Sequence, residues 1–440
     1  MEKKFNGLID PDRAMLPSEI TTIELLEGEI EKVLLLADKG VIRAMIGAVV
    51  ANRMALDPVW LLLVAGSSAG KTELLMSMSD LDFIHQISDL TVNTFASGQK
   101  KPGKETSLLM KLNNGVMLFK DFTSVLSKNK EAKKEIMGQL REIFDGSYTK
   151  RTGTGDDITW KGKVGAIAGC TESIYRHLED LSEMGDRFVM YSIEAPDRMN
   201  AARRAMSNTE GMAEKREHLK KCCLNFVNLV IDQIDIIDPK ISLETQEEFL
   251  VVADFAALAR SAVITNDRTD VVEFVPTPEM PMRIAAQLYT MASALTAINM
   301  VSHPERSKEI TDVERKILYK IAFDSIPRTR RDALIPLAKY SKGISTAGLA
   351  QHIGLPAISV EKYLSQLNAL GICSRIKKSG QQGNMWVMKN EYKEIIVNLY
   401  DIKVHEGAMM ANNFDAEEDD LDDLDAGFDR LVESESLDTW

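Results

Sequence analysis

The 440-residue chain lacks the features that would tie it to a membrane or to an oxidising compartment. No apolar run approaches the roughly 18 residues of a membrane span, and the opening Met1-Glu-Lys-Lys-Phe5 is followed by no apolar signal core. Four cysteines occur (Cys170, Cys222, Cys223, Cys373), with no Cys-x-x-Cys spacing and no nearby histidine pattern, which sets aside a disulfide framework and a zinc site. No repeat of fixed period recurs. The expectation is a cytoplasmic protein with reduced thiols, no membrane partner and, at this length, two or three domains.

The net charge of −13 is unevenly placed. Residues 404–440 carry thirteen acids and one base, Arg430, or −12, so the rest sums to −1. Residues 305–403 hold seventeen Lys/Arg against ten Asp/Glu, or +7. A basic domain is joined to an acidic tail, and overall acidity says little about partners.

The most telling run is Trp60-Leu-Leu-Leu-Val64, a buried strand, followed by Ala65-Gly66-Ser67-Ser68-Ala69-Gly70-Lys71-Thr72. Residues this small let backbone N–H groups close around phosphate oxygens; Lys71 then reaches the β- and γ-phosphates, and the Thr72 hydroxyl ligates Mg²⁺. The run departs from the usual motif in one place: its first glycine is Ala65, with Gly66 one position late. ATP and Mg²⁺ are the cofactors this run implies. Gly98-Gln-Lys-Lys-Pro-Gly103-Lys104 mimics the spacing, but Glu105 stands where the metal needs a hydroxyl. We read it as a basic loop whose Lys100, Lys101 and Lys104 either touch nucleic acid or are simply solvated.

Val116-Met-Leu-Phe-Lys-Asp121 is a second buried strand ending in a carboxylate. Asp121 either holds the metal through water or occupies the base position beside Lys120. A third core strand, Lys163 to Thr171, delivers a hydroxyl where ligands of open α/β sheets sit, so Thr171 contacts the attacking water or γ-phosphate, caps a helix, or both. Between them, Gly146 to Trp160 has β-formers on two arms around Thr152-Gly-Thr-Gly-Asp-Asp157, the pattern of a hairpin, and carries Lys150 and Arg151. Strands alternating with helices from Val59 to Glu194 predict an α/β fold with a largely parallel sheet. Ahead of it, residues 20–54 read as helices, with Ile23, Leu26, Ile30, Val33 and Leu34 on an apolar face and Glu24, Glu27 and Glu31 on a polar one. Residues 197–301 read as helical, interrupted at Pro276, Pro278 and Pro281.

Strand, loop, acidic strand, hairpin, third strand and Gly185-Asp-Arg-Phe188 together resemble the AAA+ ATPases, and within them the minichromosome-maintenance helicases and their relatives on phages and mobile elements. That resemblance covers about residues 45–300. It implies that Arg187 is an arginine finger completing the neighbouring subunit's ATP site in trans, that Lys150 meets DNA in a central channel, and that Arg283 is the second sensor, with Arg260 and Arg268 as alternatives. It further implies a homo-oligomer, a hexameric ring, around single-stranded DNA. On the residues alone, Arg187 has the alternative of a strand-edge ion pair and Arg283 that of a solvated helix residue. The large N-terminal collar of minichromosome-maintenance proteins and their Asp-Glu pair are both missing.

Past His303-Pro304, a short helix over residues 343–354, a turn and a second helix over 360–371 precede two strands around Gly380-Gln-Gln-Gly383. This is the pattern of a winged helix-turn-helix, with Lys362, Arg375, Lys377 and Lys378 as phosphate contacts, though such modules also dock proteins. The tail interleaves acids with Phe414, Leu421, Leu424, Phe428, Leu431, Leu437 and Trp440, which suits a docking peptide for a replication protein, competition with DNA, or plain solubility. The expected organisation is a helical segment (1–55), an AAA+ P-loop core (56–200), a helical lid (201–303), a winged-helix domain (304–400) and the tail (401–440). The expected activity is an ATP-driven DNA helicase or translocase for phage or mobile-element replication. Its alternative is a non-unwinding loader or DNA-bound regulator. A nucleotide-switched signalling ATPase is a third class, against which the hairpin argues.

Overall fold

A computed structural model describes residues 14–67, 69–96, 107–112, 114–151, 157–177, 187–266, 269, 271–306, 308–376, 384–400 and 402–409. It is a mixed α/β fold with 15 α-helices and a five-stranded parallel sheet among those residues. The sheet strands are β1 (Trp60–Val64), β2 (Ile84–Ile87), β3 (Val116–Phe119), β6 (Gly165–Cys170) and β7 (Val189–Ser192), in the order β2-β3-β6-β1-β7. Between β3 and β6 the chain forms the antiparallel pair β4 (Ser147–Arg151) and β5 (Asp157–Lys161).

Every β1 residue is buried because the sheet is covered on both sides. Leu61 and Leu63 face one core with Val116, Leu118, Ile167 and Tyr191; Trp60, Leu62 and Val64 face the other with Met117, Phe119, Ala168 and Phe188. That alternation is the strand's period of two, realised on two apolar surfaces.

The first side is covered by α1 (Ile23–Val33) and α2 (Gly40–Ala51). Thr22 caps α1 by accepting from Leu25 N at 3.3 Å. The expected polar face of α1 needs correction, since Glu27 is buried. Arg43 of α2 donates Nε to Glu27 at 2.7 Å and also reaches Glu24 and Glu314. Burying a carboxylate is tolerable only with such a partner.

After β1 come α3 (Lys71–Met76), α4 (Leu108–Lys111), α5 (Thr123–Leu126) and α6 (Lys130–Phe144). Residues 197–302 then form α7 (Arg198–Ser207), α8 (Met212–Ile231), α9 (Leu243–Arg260) and α10 (Met282–Ser302), with a small β8 (Ile264–Thr265) and β9 (Val272–Phe274) hairpin before the proline loop. By length and composition α10 is apolar enough to cross a membrane, but 78% of its most apolar window is buried in this fold.

The C-terminal elements are α11 (Asp312–Asp324), α12 (Arg328–Lys339), β10 (Ile344–Ser345), α13 (Thr346–Ile353), α14 (Ala357–Ala369), β11 (Cys373–Ile376), β12 (Met385–Met388) and α15 (Asn390–Tyr400). The three strands are antiparallel in the order β10-β12-β11. Residues 405–409 run beside β10, where Met409 N donates to Gly343 O and Ser345 N to Met409 O.

Candidate functional site

Parallel strands end at one edge of the sheet, and the sequence-selected residues follow three neighbouring strands there. Lys71 and Thr72 follow β1, Thr171 follows β6, and Asp121 follows β3. Because β6 lies between β1 and β3, Thr171 leaves the sheet between the loop and the carboxylate. Open α/β sheets bind ligands at this edge.

Gly70 turns the chain from the loop into α3 with φ at 78°, a left-handed backbone that disfavours a side chain. Gly169, in β6, allows a second close approach. A Cβ there would stand 2.8 Å from Lys120 O and 2.9 Å from Leu75 Cδ1, while its carbonyl accepts Phe122 N at 2.8 Å. This fixes the Asp121 segment against β6.

Lys71 is buried, and its ammonium donates to Ala65 O at 2.8 Å and Gly66 O at 2.6 Å. Burial holds it below the usual lysine range, against the pull of Asp121 and Glu172 among others. Two carbonyls neutralise no charge, so the cation is electrostatically ready for an anion. Asp121 accepts Thr123 N at 2.9 Å through Oδ1. Thr171 Oγ1 lies 2.6 Å from Ser173 Oγ, and Ile174 N donates to Thr171 O at 3.0 Å as a short 3-10 helix (Glu172–His177) begins. Thr72 is exposed. A hydroxyl and a carboxylate are hard oxygen donors of the kind Mg²⁺ takes, so the chemistry of this pair fits that ion. Ser68 lies outside the described residues.

The arginines occupy the opposite edge. Leu61 is level with Val189, which puts Arg187 level with Val59, before β1 begins. Arg187 is 3% exposed and grips Asp145, with Nη2 at 2.7 Å from Oδ2 and 2.9 Å from Oδ1. Burial, together with the like charges of Arg283 and Arg141, lowers its proton affinity, opposed by Asp145. Arg260 pairs with Glu279 at 2.8 Å, and Arg283 reaches the same carboxylate at 3.8 Å. Arg187, Arg260 and Arg283 therefore form one cluster on the far side of the sheet from Lys71. Asp186 and Arg268 lie outside the described residues.

The β4–β5 pair is rooted beside that cluster, two residues after Asp145. Tyr148 and Trp160, directly paired, anchor it in the second core. Lys150 donates to Asn93 Oδ1 at 3.1 Å, and Arg151 is exposed. The turn at 152–156 and the basic loop at 97–106 lie outside the described residues.

Part of the positive charge of residues 305–403 goes to internal contacts. Arg315 pairs with Glu248, Lys320 with Glu194, Arg328 with Glu172 and Arg331 with Asp324. Arg330 donates to Ala259 O and Ser261 O at the end of α9. Helix α14 carries one acid and one base; Glu361 accepts from Thr346 and Asn384, and Lys362 is half-buried. Arg375 donates to Asn384 and lies over Trp386. Lys377, Lys378 and the tail from residue 410 lie outside the described residues.

One residue of the site carried no sequence signal. Arg216 of α8 makes a two-pronged pair with Glu73, immediately after Thr72, at 2.6 and 2.8 Å. No protein-family model matches the chain, and no curated protein matches it.

Proposed function

We propose that the chain is an ATP hydrolase of the P-loop AAA+ type with a helical lid and a C-terminal winged helix, acting as a ring-forming DNA helicase or translocase. The observation that carries this reading is the convergence of Lys71, Thr72, Asp121 and Thr171 on three adjacent parallel strand ends, around a loop of small residues. In this reading the loop and Lys71 hold the phosphates, Thr72 and Asp121 hold Mg²⁺, and Thr171 orients the attacking water. Mg²⁺ supplies charge neutralisation on the phosphate oxygens.

Arg187 sits at the wrong end of the sheet to serve its own site, which supports a role toward a neighbouring copy. Arg283 shares that end and that role. Releasing Arg187 from Asp145 disturbs the root of the β4–β5 hairpin, which gives nucleotide chemistry next door a route to Lys150 and to single-stranded DNA.

A non-unwinding loader or regulator is the second reading, favoured by the neutral α14, whose Glu361 is engaged by Thr346 and Asn384. The acidic tail then serves as a docking segment for a replication protein. Strand displacement on forked DNA, with Lys71→Ala as the inactive control, separates the readings. Displacement by the wild type alone supports the helicase. DNA-stimulated hydrolysis without displacement supports the loader, and no hydrolysis by either protein overturns both.

A further inference from the structure

Glu73 is an awkward residue for a phosphate site: a carboxylate directly after Thr72, where a polyanion would approach. Arg216 covers it, with Nε donating to Oε2 at 2.8 Å and Nη2 to Oε1 at 2.6 Å. The contact is one of several by which side chains of α8 reach α3 and the turn that follows it. Residues 216, 220 and 223 fall on one helix face by their spacing. Lys220 pairs with Asp80 at 3.4 Å, and burial lifts the Cys223 thiol to about 12, opposed by the neighbouring Ser77 hydroxyl. Side chains of α8 thus reach α3 and the turn after it, and Arg216 is the member of that face whose partner stands next to Lys71 and Thr72 in sequence.

We propose that Arg216 is a positioning residue for nucleotide in its own subunit: it neutralises Glu73 so that the site accepts a triphosphate. The inference rests on the reading of residues 65–72 as a phosphate loop. The pair itself is exposed, at 52% and 26% of the side chains, so as an ion pair it adds little to folding. Its effect is on the ligand. An uncovered carboxylate next to Thr72 repels the β- and γ-phosphates placed beside it, so the penalty grows from AMP, which lacks both, to ADP to ATP.

The test is equilibrium binding of fluorescent ATP, ADP and AMP analogues to the full chain at low and high salt. Arg216→Ala is expected to weaken ATP binding severalfold, the size that one uncovered charge near the β- and γ-phosphates imposes in a water-like dielectric. ADP should be affected less and AMP unchanged, and salt should shrink the effect. Arg216→Lys should restore part of the loss, and the double variant Arg216→Ala with Glu73→Gln should restore most of it. Lys220→Ala breaks the same helix contact away from the phosphates and should leave the ATP-to-AMP ratio unchanged. Equal weakening for all three nucleotides, an unchanged ATP affinity, or no rescue by Glu73→Gln overturns the proposal. Failure of the wild type to bind ATP would instead overturn the phosphate-loop reading, and this inference with it.

Discussion

If each site is shared, inactivating either half should be complementable by mixing. From Val59, level with Arg187, to Ala65 is about 20 Å of strand at about 3.3 Å per residue. An extended arginine side chain spans only about 7 Å. Arg187 therefore cannot reach the phosphates held by its own Lys71, whatever its rotamer. Lys71→Ala alone and Arg187→Ala alone should each lower ATP turnover by roughly 10³-fold or more, about 4 kcal/mol in the barrier. In an equal mixture assembled at random, a working site pairs an intact loop on one subunit with an intact arginine on the next, which holds for about one site in four with head-to-tail contacts. Turnover measured after co-assembly should thus rise to about one quarter of wild type. Recovery must be judged against each variant's thermal melt, because Arg187 also holds Asp145. No recovery in a well-folded mixture, or full turnover by Arg187→Ala alone, refutes the shared site.

Lys150→Ala should abolish strand displacement while leaving DNA-free hydrolysis within about twofold; undiminished displacement removes the hairpin from the mechanism. Lys362→Ala should weaken DNA binding evenly across sequences and lower the salt slope by about 1 if α14 faces phosphates, and an unchanged slope favours protein docking. Lys163 gives a pH signature. Burial pushes its ammonium down to about 8, while its Nζ donates to Met54 O at 2.8 Å. The unfolded chain keeps this proton up to about pH 10.4. Between those values the unfolded state binds the extra proton, so stability from this group rises with pH across the window. The melting temperature of Lys163→Gln should rise less than that of the wild type from pH 8 to 10, and parallel curves would contradict the assignment. Comparing the two proteins cancels the opposite trend from Cys170, which burial lifts to about 11.

Much of the fold was legible in the chain because it depends on local chemistry. The apolar run at Trp60–Val64 and the small residues after it specify a buried strand and a tight loop without reference to distant partners. The hairpin arms, the proline loop before α10 and Gly354 closing α13, where φ is 66°, are equally local. Burial of Glu27 was not legible, because it depends on Arg43 from another helix. Nor were the ion pairs of Arg315, Lys320 and Arg328, since Glu248, Glu194 and Glu172 come from distant parts of the chain.

Small residues, a lysine and a hydroxyl in one short run are local chemistry, and they suffice to mark residues 65–72 as a candidate phosphate loop. Which edge of the sheet each charge occupies is settled by long-range packing. Strand order and register, set by long-range pairing, place Lys71 and Asp121 at one edge and Arg187 with Arg283 at the other. The same packing brings Arg216 onto Glu73 across 143 residues of chain.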